Sequence, residues 1–174
     1  TQSRSSAASD VYKRQGHIYH YFENKEAIIG ASVAHEAGIT VARMQGFARS
    51  DDVLATLVEE AEGALMRSLD PSSNALIMEI LSEAGRNARV AEQVQAADVL
   101  VSEAVQCLVR RSWQAKHPGQ VLSDAVVVAK AEMLGAMVDG IRIRAIRNPK
   151  VNPEALLTQL RSAVRHILEQ ADGS

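Results

Sequence analysis

The sequence predicts an all-α chain. Three observations carry that expectation. Apolar residues recur at intervals of three and four over long stretches, the spacing of one face of a helix. Compact breakers separate these stretches: Asp70-Pro71-Ser72-Ser73, His117-Pro118-Gly119 and Asn152-Pro153, with no internal repeat and no low-complexity linker. The composition, 47% hydrophobic and 23% charged over 174 residues, is that of a chain able to bury a core in one or two domains.

The first long helix is expected from Lys25 to about Gly46. Asn24 is a good N-cap, and Ala27, Ile28, Ala31, Ala34 and Ala37 supply an apolar stripe. Ser50, Asp51 and Asp52 signal the next start, followed by Val53, Leu54, Leu57, Val58, Ala61, Leu65 and Met66. The run Asp70–Ser73 breaks that helix, and a short one from about Asn74 to near Gly85 holds Leu76, Ile77, Ile80 and Leu81. A long helix from about Ala88 to Lys116 follows, with Val90, Val94, Ala97, Leu100, Val101, Val105, Leu108 and Trp113 spaced for burial.

After the His117-Pro118-Gly119 turn, a helix from near Ser123 to about Arg147 is apolar on most sides, which implies burial on more than one face. Arg142, Arg144 and Arg147 sit toward its C-terminus, where the helix dipole favours cations. The last helix opens at Asn152-Pro153-Glu154: a cap, a proline suited to the first helical position, and an acid in the first turn. Its stripe is Leu156, Leu157, Leu160, Ala163, Val164, Ile167 and Leu168.

The formal net charge is −2; residues 1–15 carry +2, which leaves −4 for the remainder, unlike a wholly basic nucleic-acid binder. Cys107 is the only cysteine, so no intrachain disulfide is possible, and a reducing cytoplasm fits. No apolar run reaches the length of a membrane span.

The stretch Gly16–Ile29, GHIYHYFENKEAII, carries the most specific signal. The chain holds two Phe, one Trp and three Tyr, and three of these, Tyr19, Tyr21 and Phe22, fall within four residues, interleaved with His17 and His20. Phenol hydroxyls can donate to phosphate oxygens, and Lys25 adds charge at a helix start whose free N–H groups already favour an anion. The pattern Gly-x-Ile-Tyr-x-Tyr-Phe-x-Asn-Lys-Glu-x-Ile resembles the end of the helix-turn-helix in TetR/AcrR-type transcriptional regulators. That resemblance implies a helix-turn-helix followed by a helical ligand-binding and dimerisation domain. It places His17, and His20 nearby, where family members meet base edges. Tyr19, Tyr21 and Lys25 match phosphate-contacting positions, Ile18 and Phe22 match packing positions, and Gly16 fits close approach to the DNA backbone.

Ser5–Gln15, SSAASDVYKRQ, is the translation of a transposon-type sequencing adapter. Read as a native first helix it lacks an apolar stripe, because Val11 and Tyr12 are the only large apolar residues before Gly16. Residues 1–15 are therefore expected to be a non-native scar standing in place of most of the helix-turn-helix. Residues 16–46 are expected to be the remnant of the DNA-binding domain, and 47–174 the ligand-binding and dimerisation domain.

Candidate ligand-lining residues are Met66, Met78, Trp113, Met133 and Met137, since thioethers suit an adaptable apolar pocket; plain core packing explains each of them as well. Glu79 and Glu83, one turn apart, could meet a polar ligand group or form a solvated face paired with Arg86. His17 and His20 at i, i+3 have no further ligand nearby, so no metal site is expected. Signatures of enzymes and of cofactor binding are absent: no G-x-S-x-G, no Walker loop, no G-x-G-x-x-G, no H-E-x-x-H.

Gly135, Ala136 and Gly140 would let a second helix come close, and the resemblance implies a homodimer through the last two helices, with Leu160 facing it. The reading is a ligand-responsive DNA-binding regulator, a repressor by type. Its partners would be operator DNA, a small-molecule effector and a second copy, with no cofactor and no membrane. The alternative is a helical small-molecule-binding or interaction module without DNA function.

Overall fold

The structure, a computed structural model, describes residues 24–170. The expectations for residues 1–15, and those for Gly16, His17, Ile18, Tyr19, His20, Tyr21 and Phe22, lie outside the described residues. Among the described residues there are six helices and no strand: α1 (Lys25–Phe47), α2 (Val53–Leu69), α3 (Pro71–Ala84), α4 (Ala88–Lys116), α5 (Asp124–Arg147) and α6 (Pro153–Glu169).

Short polar residues set the starts. The side chains of Asn24, Asp52, Asp70, Asn87, Ser123 and Asn152 each accept from a backbone N–H in the first turn of the helix they precede. Such caps satisfy donors that have no partner inside the helix. One boundary differs from expectation. The third helix begins at Pro71, not near Asn74, because proline occupies its first turn, where the missing N–H costs nothing. Asp70 serves both neighbours: its N–H bonds the Arg67 carbonyl at the end of α2, and its carboxylate accepts from Ser73 N at 2.8 Å. The turn between α4 and α5 needs Gly119, whose φ of +82° lies in the region that L side chains rarely adopt.

The core forms around α2, which packs on α5 and α6. Leu54 and Val58 meet Val109, Trp113, Leu122, Val127 and Leu168. One to three turns further along α2, Ala61 and Leu65 meet Leu160, with Met137, Ile141, Leu156, Leu157 and Val164 partly buried around them. Each such large apolar side chain contributes about 1.5–3 kcal/mol when fully removed from water. The Lys130 ammonium of α5 donates to the Ile167 and Gln170 carbonyls at 2.5 and 2.6 Å, closing the exposed end of α6.

Three packing expectations need correction. In α1, Ala37 is buried but Ala31 and Ala34 are exposed, because small residues on every side of this helix leave no dominant apolar stripe. In α5, Val127 and Ala131 are buried, while Val128, Met133, Ile143 and Ile146 on its other sides are exposed; the single chain covers one face only. Leu160 is 6% exposed and belongs to the core of one chain, so it does not face outward.

Candidate functional site

The first turn of α1 carries Lys25, the one predicted DNA-contacting residue among those described. Asn24 caps it, accepting from Ala27 N at 2.8 Å. Lys25 Nζ then reaches Glu83 Oε2 at 3.4 Å, near the end of α3. Arg86 holds the same oxygen at 2.6 Å. Beside them Asn87 Nδ2 donates to Glu26 Oε1 at 3.3 Å. The start of α1 is thus clasped to the α3–α4 turn by two contacts over some sixty residues of chain, while Arg86 fixes Glu83 from within the turn. The Arg86 hydrogen bond, followed by the weaker one from Lys25, holds the Glu83 carboxyl below its ordinary range. The Glu83 carboxylate in turn raises the Arg86 guanidinium. Glu83 is therefore paired with Arg86 as the sequence spacing allows, and Glu79 lies exposed.

Beyond the clasp, α1 and α4 lie side by side and leave an open groove of about 690 Å3. That volume is within the ordinary range for small-molecule sites, roughly 300–1,000 Å3. Its α1 wall is built from Gly30, Ala34, Ala37, Gly38 and Val41, with Met44 and Gln45 further along. Its α4 wall is built from Gln93, Ala96, Ala97, Leu100, Glu103 and Cys107. Small side chains make the groove, since larger ones on either helix would fill it. Gly30 has a specific part: a Cβ there would lie 2.6 Å from the Gln93 carboxamide, so glycine admits that side chain between the helices. The Gln93 Oε1 atom is buried and accepts no hydrogen bond. Glu103 is the one charged residue among those lining the groove.

The five sequence-predicted ligand residues are placed elsewhere. Trp113 is buried in the core and stacks on His117, with ring centroids 3.9 Å apart. Met137 packs against the Ala61, Leu65 and Leu160 cluster. Met78 is partly buried on α3, and Met66 and Met133 are exposed, at 57% and 54%. None of the five lines the groove. Sequence reasoning missed Gln93, Glu103 and Cys107. The available signal was the recurrence of small residues, Gly30-Ala34-Ala37-Gly38 on one helix and Ala96-Ala97-Ala104 on the other, at spacing that places them along one face.

No helix among the described residues is long and apolar enough to cross a membrane. No curated protein and no solved structure matches the chain. A family model described as BetI-type transcriptional repressor, C-terminal, matches residues 55–169. The match begins in the first turn of α2 and ends with the last residue of α6, so it takes in both core clusters apart from Leu54, and one wall of the groove. With five of six helices inside that match, the chain belongs to the TetR-family regulators, in the C-terminal class of the BetI-type transcriptional repressors.

Proposed function

We propose that the protein, when its DNA-binding part is complete, is a ligand-responsive DNA-binding repressor that works as a homodimer in the cytoplasm. Residues 16–46 would close the DNA-binding part and residues 47–174 would form the regulatory part. His17 and His20 would read bases, and Tyr19, Tyr21 and Lys25 would grip phosphates. The effector would occupy the α1–α4 groove.

One observation carries this reading: α1 begins within the motif that holds the DNA-contacting residues and continues as a wall of the groove. A ligand that pushes α1 and α4 apart, or draws them together, must move the helix that follows the recognition segment. A dimer binds successive major grooves only if its two recognition helices keep the spacing of one DNA turn, about 34–36 Å. Effector binding would therefore lower DNA affinity by favouring dimers with the wrong spacing. Lys25 suits a double role. Its pair with Glu83 is solvent-exposed on the lysine side, and exposed pairs contribute roughly 0–1 kcal/mol, so a phosphate can compete for it.

For the dimer, the uncovered side of α5 offers Val128, Met133, Ile143 and Ile146 around Gly135 and Gly140, where a Cβ would meet nothing within 4 Å. A helix from a second copy could approach closely there.

The test joins a complete helix-turn-helix to Gly16 and selects bound sequences from a random DNA pool. An enriched palindrome is expected. A pool without enrichment, from a protein that still binds small molecules, would support the module without DNA function instead.

A further inference from the structure

Charge and hydrogen-bonding capacity are unevenly placed in the α1–α4 groove. The two helices run parallel there: Asn87 meets Glu26, and Gln93 lies against Gly30. The α4 wall from Gln93 to Cys107 is about 20 Å long at 1.5 Å per residue. A volume of about 690 Å3 spread over that length leaves a cross-section of about 35 Å2, which admits one slender chain and no fused ring system.

No Lys, Arg or His is among the described residues that line this groove, and its middle is alanine, glycine, Val41 and Leu100. Two acceptors mark it, about 15 Å apart along α4. At one end, Nε2, Cδ and Oε1 of Gln93 all lie within 2.8 Å of the place a Gly30 Cβ would take, so the carboxamide is pressed between the helices. Its Oε1 is buried and accepts from nothing. The last torsion of a glutamine side chain is soft, and turning it brings that oxygen to the groove. Further along stands Glu103, which makes no ion pair among the described residues. No lining residue compensates its charge.

We infer that the groove takes a slender apolar amine: an ammonium beside Glu103, a hydrocarbon body along the alanines, and a hydroxyl or amide N–H donor at Gln93. This rests on the groove being the effector site and adds the chemical class of the effector. The ammonium supplies the missing counter-charge. The body leaves water against side chains that offer it no polar partner. The donor satisfies an acceptor that is costly to leave unpaired. A carboxylate-headed molecule of the same length would meet a like charge at Glu103 and no cation along the groove.

The probes are 12-aminododecan-1-ol, dodecylamine and dodecanoate, each titrated below its micelle concentration into the 174-residue chain in a calorimeter. The amino alcohol should bind about fivefold tighter than dodecylamine, the effect of one added hydrogen bond. Dodecanoate should bind weakest. Glu103 is exposed, so each change of charge there should shift affinity by about threefold to fivefold, and in E103K the acid should bind tighter than the amine. In Q93L the amino alcohol and dodecylamine should bind alike. A97W should remove binding of all three. If Q93L is poorly folded, E103K decides. Three results overturn the amine assignment: dodecanoate binding wild type as tightly as dodecylamine, an order of affinity that E103K leaves unchanged, or no binding of any probe. An advantage of the amino alcohol that survives Q93L overturns the donor at Gln93. Where the amine assignment fails but A97W still abolishes binding, the groove remains the ligand site. Binding that survives A97W places the ligand elsewhere and overturns both.

Discussion

Lys25 and Glu83 are separated by 58 residues in sequence and meet at 3.4 Å, which fastens the first turn of α1 to the last turn of α3. The contact sits where the motif that follows the recognition segment enters the helical body. It makes the position of the α1 start depend on the charge state of one carboxylate.

That dependence sets an acid response. Glu83 and Asp70 both have carboxyl pKa values below their ordinary ones, Glu83 mainly through Arg86 and Asp70 mainly through the Ser73 backbone N–H. A carboxylate with a depressed folded pKa contributes stability above its unfolded pKa, roughly pH 4, and loses it as pH falls through the folded value. Tm should be level from pH 7 to about pH 5 and fall below about pH 4. In the double variant E83Q/D70N this acid limb should be shallower. A limb of unchanged steepness in that variant would contradict the assignment.

Asn74 is 1% exposed, and its Nδ2 donates to the Ser68 carbonyl at 2.8 Å, so it locks the hinge between α2 and α3. Asn74→Ala leaves a buried carbonyl without that donor and should cost about 1–3 kcal/mol. Denaturant unfolding reads this directly. A loss within experimental error of zero would mean that Asp70 and Pro71 hold the hinge alone.

The helices of the core were legible because their signals agree. Asp52, Asn87 and Asn152 are caps, and the residues after them alternate apolar and polar faces at helical spacing. The start of α3 was not, because a proline after an aspartate reads as a break as readily as a first helical turn. The groove was not either. Alanine and glycine give α1 almost no contrast between faces, so periodicity cannot tell that Ala37 is buried and Ala34 exposed. Leu160 shows a further limit: an apolar stripe looks the same whether its own chain or a second copy covers it.

Assembly can be separated from folding by two substitutions. Ile143→Glu places a charge on the uncovered side of α5 and should give a folded monomer, seen by sedimentation with an unchanged helical spectrum. Leu160→Ala empties a core site and should cost about 2–5 kcal/mol of stability without directly altering association. A wild-type chain that sediments as a monomer at micromolar concentration would refute the proposed dimer.

The groove predicts a third separation. Ala97→Trp would fill the space between α1 and α4 from a position that the fold leaves partly open. The variant should keep its Tm within about 2 °C, the shift expected for less than 1 kcal/mol. DNA binding should then no longer respond to effector. Retained effector response with retained stability would place the ligand elsewhere.

The most direct test of the central claim, that α1 carries a phosphate contact into the regulatory body, is the salt dependence of operator binding for Lys25→Ala in a protein with a complete helix-turn-helix. Loss of one neutralised phosphate should weaken binding to operator and scrambled DNA alike and lower the slope of log K against log salt by about one unit. Unchanged affinity and slope would contradict it.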